Sequence, residues 1–305
     1  MSKGIHRFAL LVAGATFFLI IAGANVTSHD AGLAVPDWPL SFGRLFPRMV
    51  GNVFWEHGHR LVATTVGILT IVLAIYLQIR EKRSWVKRLG WIALGGVVAQ
   101  GLLGGLTVKL NLPLAVSAAH ATLAQLFFLT TVSLAVFTSR SWVKPPIEAR
   151  EESAGVSLGS LCVVALIAIL AQLVLGATLR HSATWDQPLP TGLLLSHVAG
   201  AVVVTIVLGL TVTTALVRHR AENYLTRPAL IAAGLLIVQL VLGVTTYIVR
   251  AASPNDPQPL NPMISVTVAH VACGALVFAA AIVLTLRAYR IFSVERPAYA
   301  VVATW

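Results

Sequence analysis

Gln172-Leu-Val-Leu-Gly176 recurs as Gln239-Leu-Val-Leu-Gly243 and, more loosely, as Gln100-Gly-Leu-Leu-Gly104. Each phrase lies inside an apolar run of about 20 residues, which at roughly 1.5 Å per helical residue can cross a hydrocarbon core of about 30 Å. A weaker form surrounds Gly23, followed by Asn25 and Thr27. Working outward, eight such runs emerge: about 8–26, 60–79, 90–109, 114–138, 156–178, 192–217, 228–248 and 263–288. The phrases mark the first, third, fifth and seventh. The chain is therefore expected to be an all-α integral membrane protein. Its eight transmembrane helices would form two tandem pseudo-symmetric four-helix bundles, residues 1–139 and 155–305, joined by a polar cytoplasmic linker at 140–154. Both copies begin on the same side, so the repeat is parallel. For the glycines alone, close helix packing is the simpler reading.

Composition agrees. The chain is 57% hydrophobic and 11% charged with mean hydropathy +0.84, too apolar for a soluble domain. A net charge of +11 could suit nucleic acid, but its placement excludes that partner. The N-terminus, the loops after the second, fourth and sixth spans, and the C-terminus hold 16 of the 22 Lys and Arg. This asymmetry predicts cytoplasmic termini in a multi-pass cell-membrane protein. Lys3 and Arg7 before a run ending Ala22-Gly23-Ala24 outline a secretory signal, but the run is long and seven spans follow, so a retained first helix is expected. Cys162 and Cys273 both fall inside spans, which leaves no CxxC metal site or exported disulfide framework.

Function enters through histidine. His59, His120, His197 and His270 each begin an even-numbered span, within about two turns of its outer end. Equal depth, roughly 10 Å from the boundary, lets partners in one bundle face each other. Ionisable side chains in lipid-spanning helices are costly and mark functional sites. Opposed imidazoles in a four-helix bundle suit axial ligation of haem, and Ala118, Ala119, Ala121 and Ala124 around His120, like Ala269, Ala272 and Gly274 around His270, leave room for a flat macrocycle. A di-iron site would want several Glu-x-x-His pairs, and only Glu56 and His59 make one. His57 competes with His59, but the two lie about 200° apart on a helix. The correspondence with His197 favours His59.

Glu56 makes the halves unequal, because Leu193-Leu-Leu-Ser196 precedes His197 without an acid. If the helix already includes residues 55–60, Glu56 shares a face with His59. It is then either a catalytic carboxylate beside one centre or an interfacial partner of Arg60 or Arg44.

These residues resemble the haem A synthases. The resemblance rests on Gly23-Ala-Asn-Val-Thr27, Trp38-Pro-Leu40, Phe42-Gly-Arg44, Phe46-Pro47 and Glu56-His-Gly-His-Arg60, then on Ala119-His120, Gly176-Ala-Thr-Leu-Arg-His181, Ser196-His197 and Ala269-His270. It covers about residues 8–290. It implies oxidation of a methyl group of haem O to a formyl group, giving haem A for terminal oxidases. It also implies that His59 and His120 bind the haem O substrate and haem A product in the N-terminal half, with Glu56 as catalytic acid, while His197 and His270 hold a haem b that relays electrons. Implied partners are haem O, an electron donor for which a quinol is a candidate, and, as further candidates, the haem O synthase, the terminal oxidase and a second copy of the chain. Many members carry paired cysteines in the first outer loop; here those positions are approximately Ala34 and Ser41, so no thiol relay can operate. A bis-histidine site has no open coordination position, so either one ligand leaves or the edge is oxidised less directly.

Arg44, Arg60, Arg180 and Arg250 lie on the outer side, against the charge trend, where haem propionates are natural anions for them to meet. In the long outer loop, Trp38, Phe42, Phe46, Phe54 and Trp55 form either a cover over the N-terminal site or an ordinary interfacial belt, and His29, Asp30 and Asp37 are candidate gates for substrate or protons. A di-haem b electron carrier and a haem transporter are the competing functions.

Overall fold

The structure, a computed structural model, describes residues 3–145, 156–182, 188–252 and 259–292. Its helices are α1 (Lys3–Ser28), α2 (Asn52–Arg80), α3 (Ser84–Lys109), α4 (Leu114–Phe137), a single turn α5 (Arg140–Val143), α6 (Leu158–His181), α7 (Thr191–Arg218), α8 (Asn223–Ala252) and α9 (Asn261–Ile291). All but α5 are long and apolar enough to cross a membrane, so the protein is a multi-pass helical membrane protein. Most of the linker at 140–154 and all of 293–305 lie outside the described residues.

Two differences from the hydropathy boundaries matter. The second span begins at Asn52 and not near 60, because Glu56, His57 and Arg60 find polar partners in the preceding loop and stay helical. The seventh begins at Asn223 and carries Pro228 inside its first turns. Proline removes the N–H that would bond the carbonyl four residues earlier, and that carbonyl, Tyr224 O, instead accepts from Arg287 Nη1 at 3.0 Å.

Helix α1 packs on α2 and α4, and α3 on both α2 and α4; in the second half α6 packs on α7 and α9, and α8 on both α7 and α9. The halves meet where α1 touches α9, α4 touches α6, and α4 touches α9. Each half has its own apolar core: Ile5, Val12, Leu73, Leu77 and Leu134 in the first, and Leu158, Leu208, Leu225 and Leu284 in the second. A small cluster of Ile20, Phe128 and Ala275 joins them. Ile68, Ile92, Ile167, Ile206 and Ile237 remain largely exposed on helix flanks, where lipid is their solvent.

At the ends carrying the basic residues, arginines close the helix C-termini. Arg83 Nη2 donates to Phe137 O at 2.9 Å, and Arg290 Nε to Trp142 O at 3.2 Å. Cations satisfy free terminal carbonyls and complement the negative end of the helix dipole.

Candidate active site: four imidazoles seated on glycines

Each of the four histidines packs its ring against a glycine of the preceding long helix. A β-carbon built on Gly23 would stand 3.1 Å from His59 Cε1, on Gly104 3.1 Å from His120 Cε1, on Gly176 2.9 Å from His197 Cε1, and on Gly243 3.1 Å from His270 Cε1. These glycines are present because the ring fills the space a side chain would take. Three seats carry a second feature one turn earlier. Gln100 Nε2 lies 3.4 Å from His120 Nε2 and donates to His120 O at 2.9 Å. Gln172 Nε2 lies 3.1 Å from His197 Nδ1 and 3.4 Å from its Nε2, and donates to His197 O at 2.9 Å. Gln239 Nε2 lies 3.3 Å from His270 Nε2. The repeated phrase thus reads as a histidine seat: glycine makes the space and glutamine holds the ring.

The His197 and His270 rings meet edge to face, with centroids 6.4 Å apart and planes at 73°. Two metal–imidazole bonds of about 2 Å, with each ring centre roughly 1 Å beyond its nitrogen, require about 6 Å, so the pair fits around one iron. His59 and His120 make the corresponding set in the first half, each on its own glycine seat. Buried atoms without partners surround both pairs: Nδ1 of His59, His120 and His270, and the hydroxyls of Ser117 and Thr267, each three residues before a histidine. Buried polar groups are seldom left unsatisfied, so these atoms suit a bound polar-edged group. Among the described residues no set of three or more His, Cys, Asp or Glu converges. The donors therefore come in pairs, as a planar macrocycle needs, and do not make a zinc or di-iron set.

Helix α2 extends far enough to put Glu56 and His59 on one face. Glu56 is 4% exposed; its Oε2 accepts from Val35 N–H at 2.7 Å, and its Oε1 pairs with Arg60 Nη2 at 2.5 Å. Pairing with Arg60 and a position beside His59 thus coexist. His57 points into the loop and shares a 2.8 Å hydrogen bond with Ser41 Oγ.

Arg60 gathers the loop between α1 and α2. Nη1 donates to Asp37 O at 2.7 Å and Leu40 O at 2.9 Å, and Nη2 also reaches Val35 O at 3.3 Å. Arg60→Lys cannot reproduce this fork. It should cost about 1–3 kcal/mol through carbonyls left unpaired, read as a lower midpoint of thermal unfolding in detergent; an unchanged midpoint would show the loop anchored elsewhere.

Asp37 accepts from Phe42 N–H at 2.6 Å and Gly43 N–H at 2.8 Å, holding a turn in which both residues have positive φ, 53° and 69°. The Gly43 amide, more than any other group, draws the Asp37 carboxyl below its ordinary range. Its contribution is therefore fully present above the free-carboxylate pKa of about 4 and is lost as pH falls through the lower folded value. Asp37→Asn should speed exchange of the Phe42 and Gly43 amides at neutral pH and remove that pH dependence. Exchange identical to wild type would contradict the assignment. His29 Nδ1 meets Asn25 O at 2.9 Å and its ring stacks on Trp55 with centroids 3.8 Å apart. Both His29 and Asp37 thus have structural partners.

The loop aromatics divide. Trp38 presses on Gly105, where a β-carbon would come within 2.7 Å of its ring, so it covers α3 beside Gly104 and His120. Phe42, Phe46 and Phe54 are 52%, 78% and 50% exposed and face outward.

The four candidate arginines divide as well. Arg44 is exposed on the loop turn, and Arg60 is committed to Glu56 and the loop. Arg180 and Arg250 are brought near enough to repel each other. They stand one and two turns beyond Gly176 and Gly243, over the C-terminal pair, where two neighbouring guanidiniums suit an anion. Arg180 Nη2 also reaches Ser28 Oγ of the first half at 3.4 Å. Its neighbour His181 ends α6, and through Arg180 this helix end of the second half touches the first. Sequence reasoning gave His181 little weight and the glutamines none; the invariant Gln-to-Gly spacing was their signal.

Eight long apolar helices and four imidazoles seated on glycines, two in each half, define a polytopic helical membrane protein. The chain belongs to the cytochrome oxidase assembly protein family COX15-CtaA, which matches residues 6–282. Among curated proteins it is similar to the Heme A synthase of Symbiobacterium thermophilum, 28% identical over 187 residues, covering 59% of this chain and 60% of that one. The Heme A synthase of Caulobacter sp. (strain K31) is 31% identical over 140 residues, 42% of this chain and 41% of that one. That of Bacillus licheniformis is 24% identical over 192 residues, covering 60% and 61%. The aligned part thus spans about four- to six-tenths of these relatives' length.

Proposed function

We propose that this protein is a haem A synthase, a membrane oxidoreductase that converts a methyl group of haem O to the formyl group of haem A. One observation carries the reading: four glycine seats present two histidines in each half, and a buried acid stands on the helix face of only one of them, His59. In this reading residues 1–139 form the catalytic half and residues 155–305 the haem b half, joined by the linker at 140–154. His59 and His120 bind haem O, and His197 and His270 bind haem b, with Arg180 and Arg250 receiving its propionates. Arg44 is the outer-loop candidate for the substrate propionates, and Arg60 serves chiefly by fixing Glu56.

The bound haem would supply the oxidative chemistry. The chain's residues orient and shield. Glu56, held by Val35 N–H and Arg60, keeps a carboxylate at one edge of the site, where its oxygen would take up a proton released as the methyl is oxidised. Trp38 on Gly105 closes the site against outer water. Ser117 and Thr267 offer hydroxyls to polar edges of the two groups. The protein is placed in the cell membrane with both termini cytoplasmic, drawing electrons from a donor such as a quinol and standing between haem O synthase and the terminal oxidase.

Membranes containing haem O, with and without this chain, test the reading. Haem A should appear only with it, and haem O left unconverted despite a correctly inserted, haem-loaded protein would overturn the reading. The pairing of Glu56 with Arg60 is what a di-haem b electron carrier would also show, and that reading predicts this second outcome.

A further inference from the structure

The functional reading leaves residues 45–50 of the α1–α2 loop without a task. The stretch Phe42-Gly-Arg-Leu-Phe-Pro-Arg-Met-Val50 carries two arginines and no acid. Leu45, Phe46, Met49 and Val50 all stand exposed, and adjacent exposed apolar side chains mark a contact with a membrane or a partner. The stretch is held in shape at its root. Asp37 accepts from the N–H groups of Phe42 and Gly43, and Ser41 and Arg44 exchange backbone hydrogen bonds of 3.0 Å in each direction. Helix α2 shows which side the stretch lies on. Phe54, Leu61, Ile68, Val72 and Ile75 are exposed and, with Gly58, fall within about 100° of one another around the helix, which makes this its lipid-facing side. The Met49 methyl lies 4.0 Å from where a β-carbon on Gly58 would stand, so the stretch crosses onto that side. Glu56 and Arg60, about 200–240° further round, hold the other end of the loop, Val35 to Leu40.

Depth follows from length. Helix α2 carries no charged residue from Leu61 to Ile79, about 28 Å of helix, which matches the hydrocarbon core. Gly58 stands about 5 Å beyond Leu61, inside a headgroup layer that adds roughly 5–8 Å on each side. We propose that residues 45–50 are a membrane foot: Leu45, Phe46, Met49 and Val50 sit in the boundary between headgroups and acyl chains, and Arg48 pairs with the phosphate of an anionic lipid. Aromatic rings and long basic side chains suit that layer, with the apolar part inward and the charge at the headgroups. Basic residues there are drawn to an acidic lipid surface. Continuity with the lipid-facing side of α2 selects the bilayer over a protein partner in water. The loop that carries the partners of Glu56 is then held from both sides of α2, by Arg60 on one and by the foot on the other.

The test places the purified full chain in nanodiscs of phosphatidylcholine, with and without phosphatidylglycerol. Phe46→Cys and Val50→Cys each carry a small environment-sensitive fluorophore; Cys162 and Cys273 are buried and stay unlabelled. Both labels should emit blue-shifted light, and a lipid spin-labelled near its headgroup should quench them more strongly than a water-soluble nitroxide. Phosphatidylglycerol should increase the quenching by lipid, and Arg48→Gln should abolish that increase. Two exposed positions are labelled so that a local disturbance at one does not decide the result. Labels at both positions that respond to the soluble quencher and not to the lipid would overturn the proposal and mark the stretch as a surface for a protein partner. Lipid quenching indifferent to phosphatidylglycerol and to Arg48→Gln would overturn the phosphate pairing. No haem conversion enters these readouts, so their failure leaves the proposed function standing.

Discussion

Glu56→Gln is expected to keep haem bound and to abolish formation of haem A. The substitution preserves shape, and the new amide oxygen can still accept from Val35 N–H, which lies 2.7 Å from the native carboxylate. The charge opposite Arg60 is lost, but that guanidinium retains the carbonyls of Asp37 and Leu40 at 2.7 and 2.9 Å. The loop should therefore hold while the proton-transferring group disappears. Removing a general acid or base typically slows a reaction about 10²–10⁴-fold, enough to erase product in a growing cell. Haem A content per chain, measured beside the optical spectrum of the same preparation, reads the outcome. An unchanged yield would reduce Glu56 to a loop anchor and favour the electron carrier.

The second large effect concerns the C-terminal pair. His270→Ala and His197→Ala should each remove the low-spin haem b spectrum, because each takes one of two rings whose centres stand 6.4 Å apart. Gly243→Leu should do the same with both histidines intact. Even a single β-carbon there would stand 3.1 Å from His270 Cε1, and a leucine must push the ring out of line with its partner. The glycine variant separates loss of a ligand from loss of its position. A low-spin spectrum kept by both alanine variants would contradict the ligation.

Much of this was legible in the chain itself. The eight spans follow from hydropathy because the hydrocarbon core demands long apolar helices, and all eight long helices meet that demand. The four histidines stood out because imidazole is costly in such helices. His270 nevertheless lies almost three turns into α9, deeper than hydropathy placed it, since polar Asn261 and Ser265 are already helical. The start of α2 was hidden for the same reason: Glu56, His57 and Arg60 depress hydropathy, and their partners Val35, Ser41 and Asp37 are distant in sequence. The Gln-to-Gly phrase was visible, but its meaning was not. A glycine in a membrane helix serves packing against anything small, and only three-dimensional pairing reveals that an imidazole fills each gap. The approach of Arg180 to Arg250 and to Ser28 depends on how helices from separate stretches pack, which no local pattern encodes.

Pigment extraction from the purified protein tests the central claim most directly. Two haem-binding pairs with different tasks predict haem b together with haem O, haem A or a hydroxylated intermediate between them. Haem b alone would contradict the synthase reading, and a protein free of haem would contradict the assignment of all four histidines.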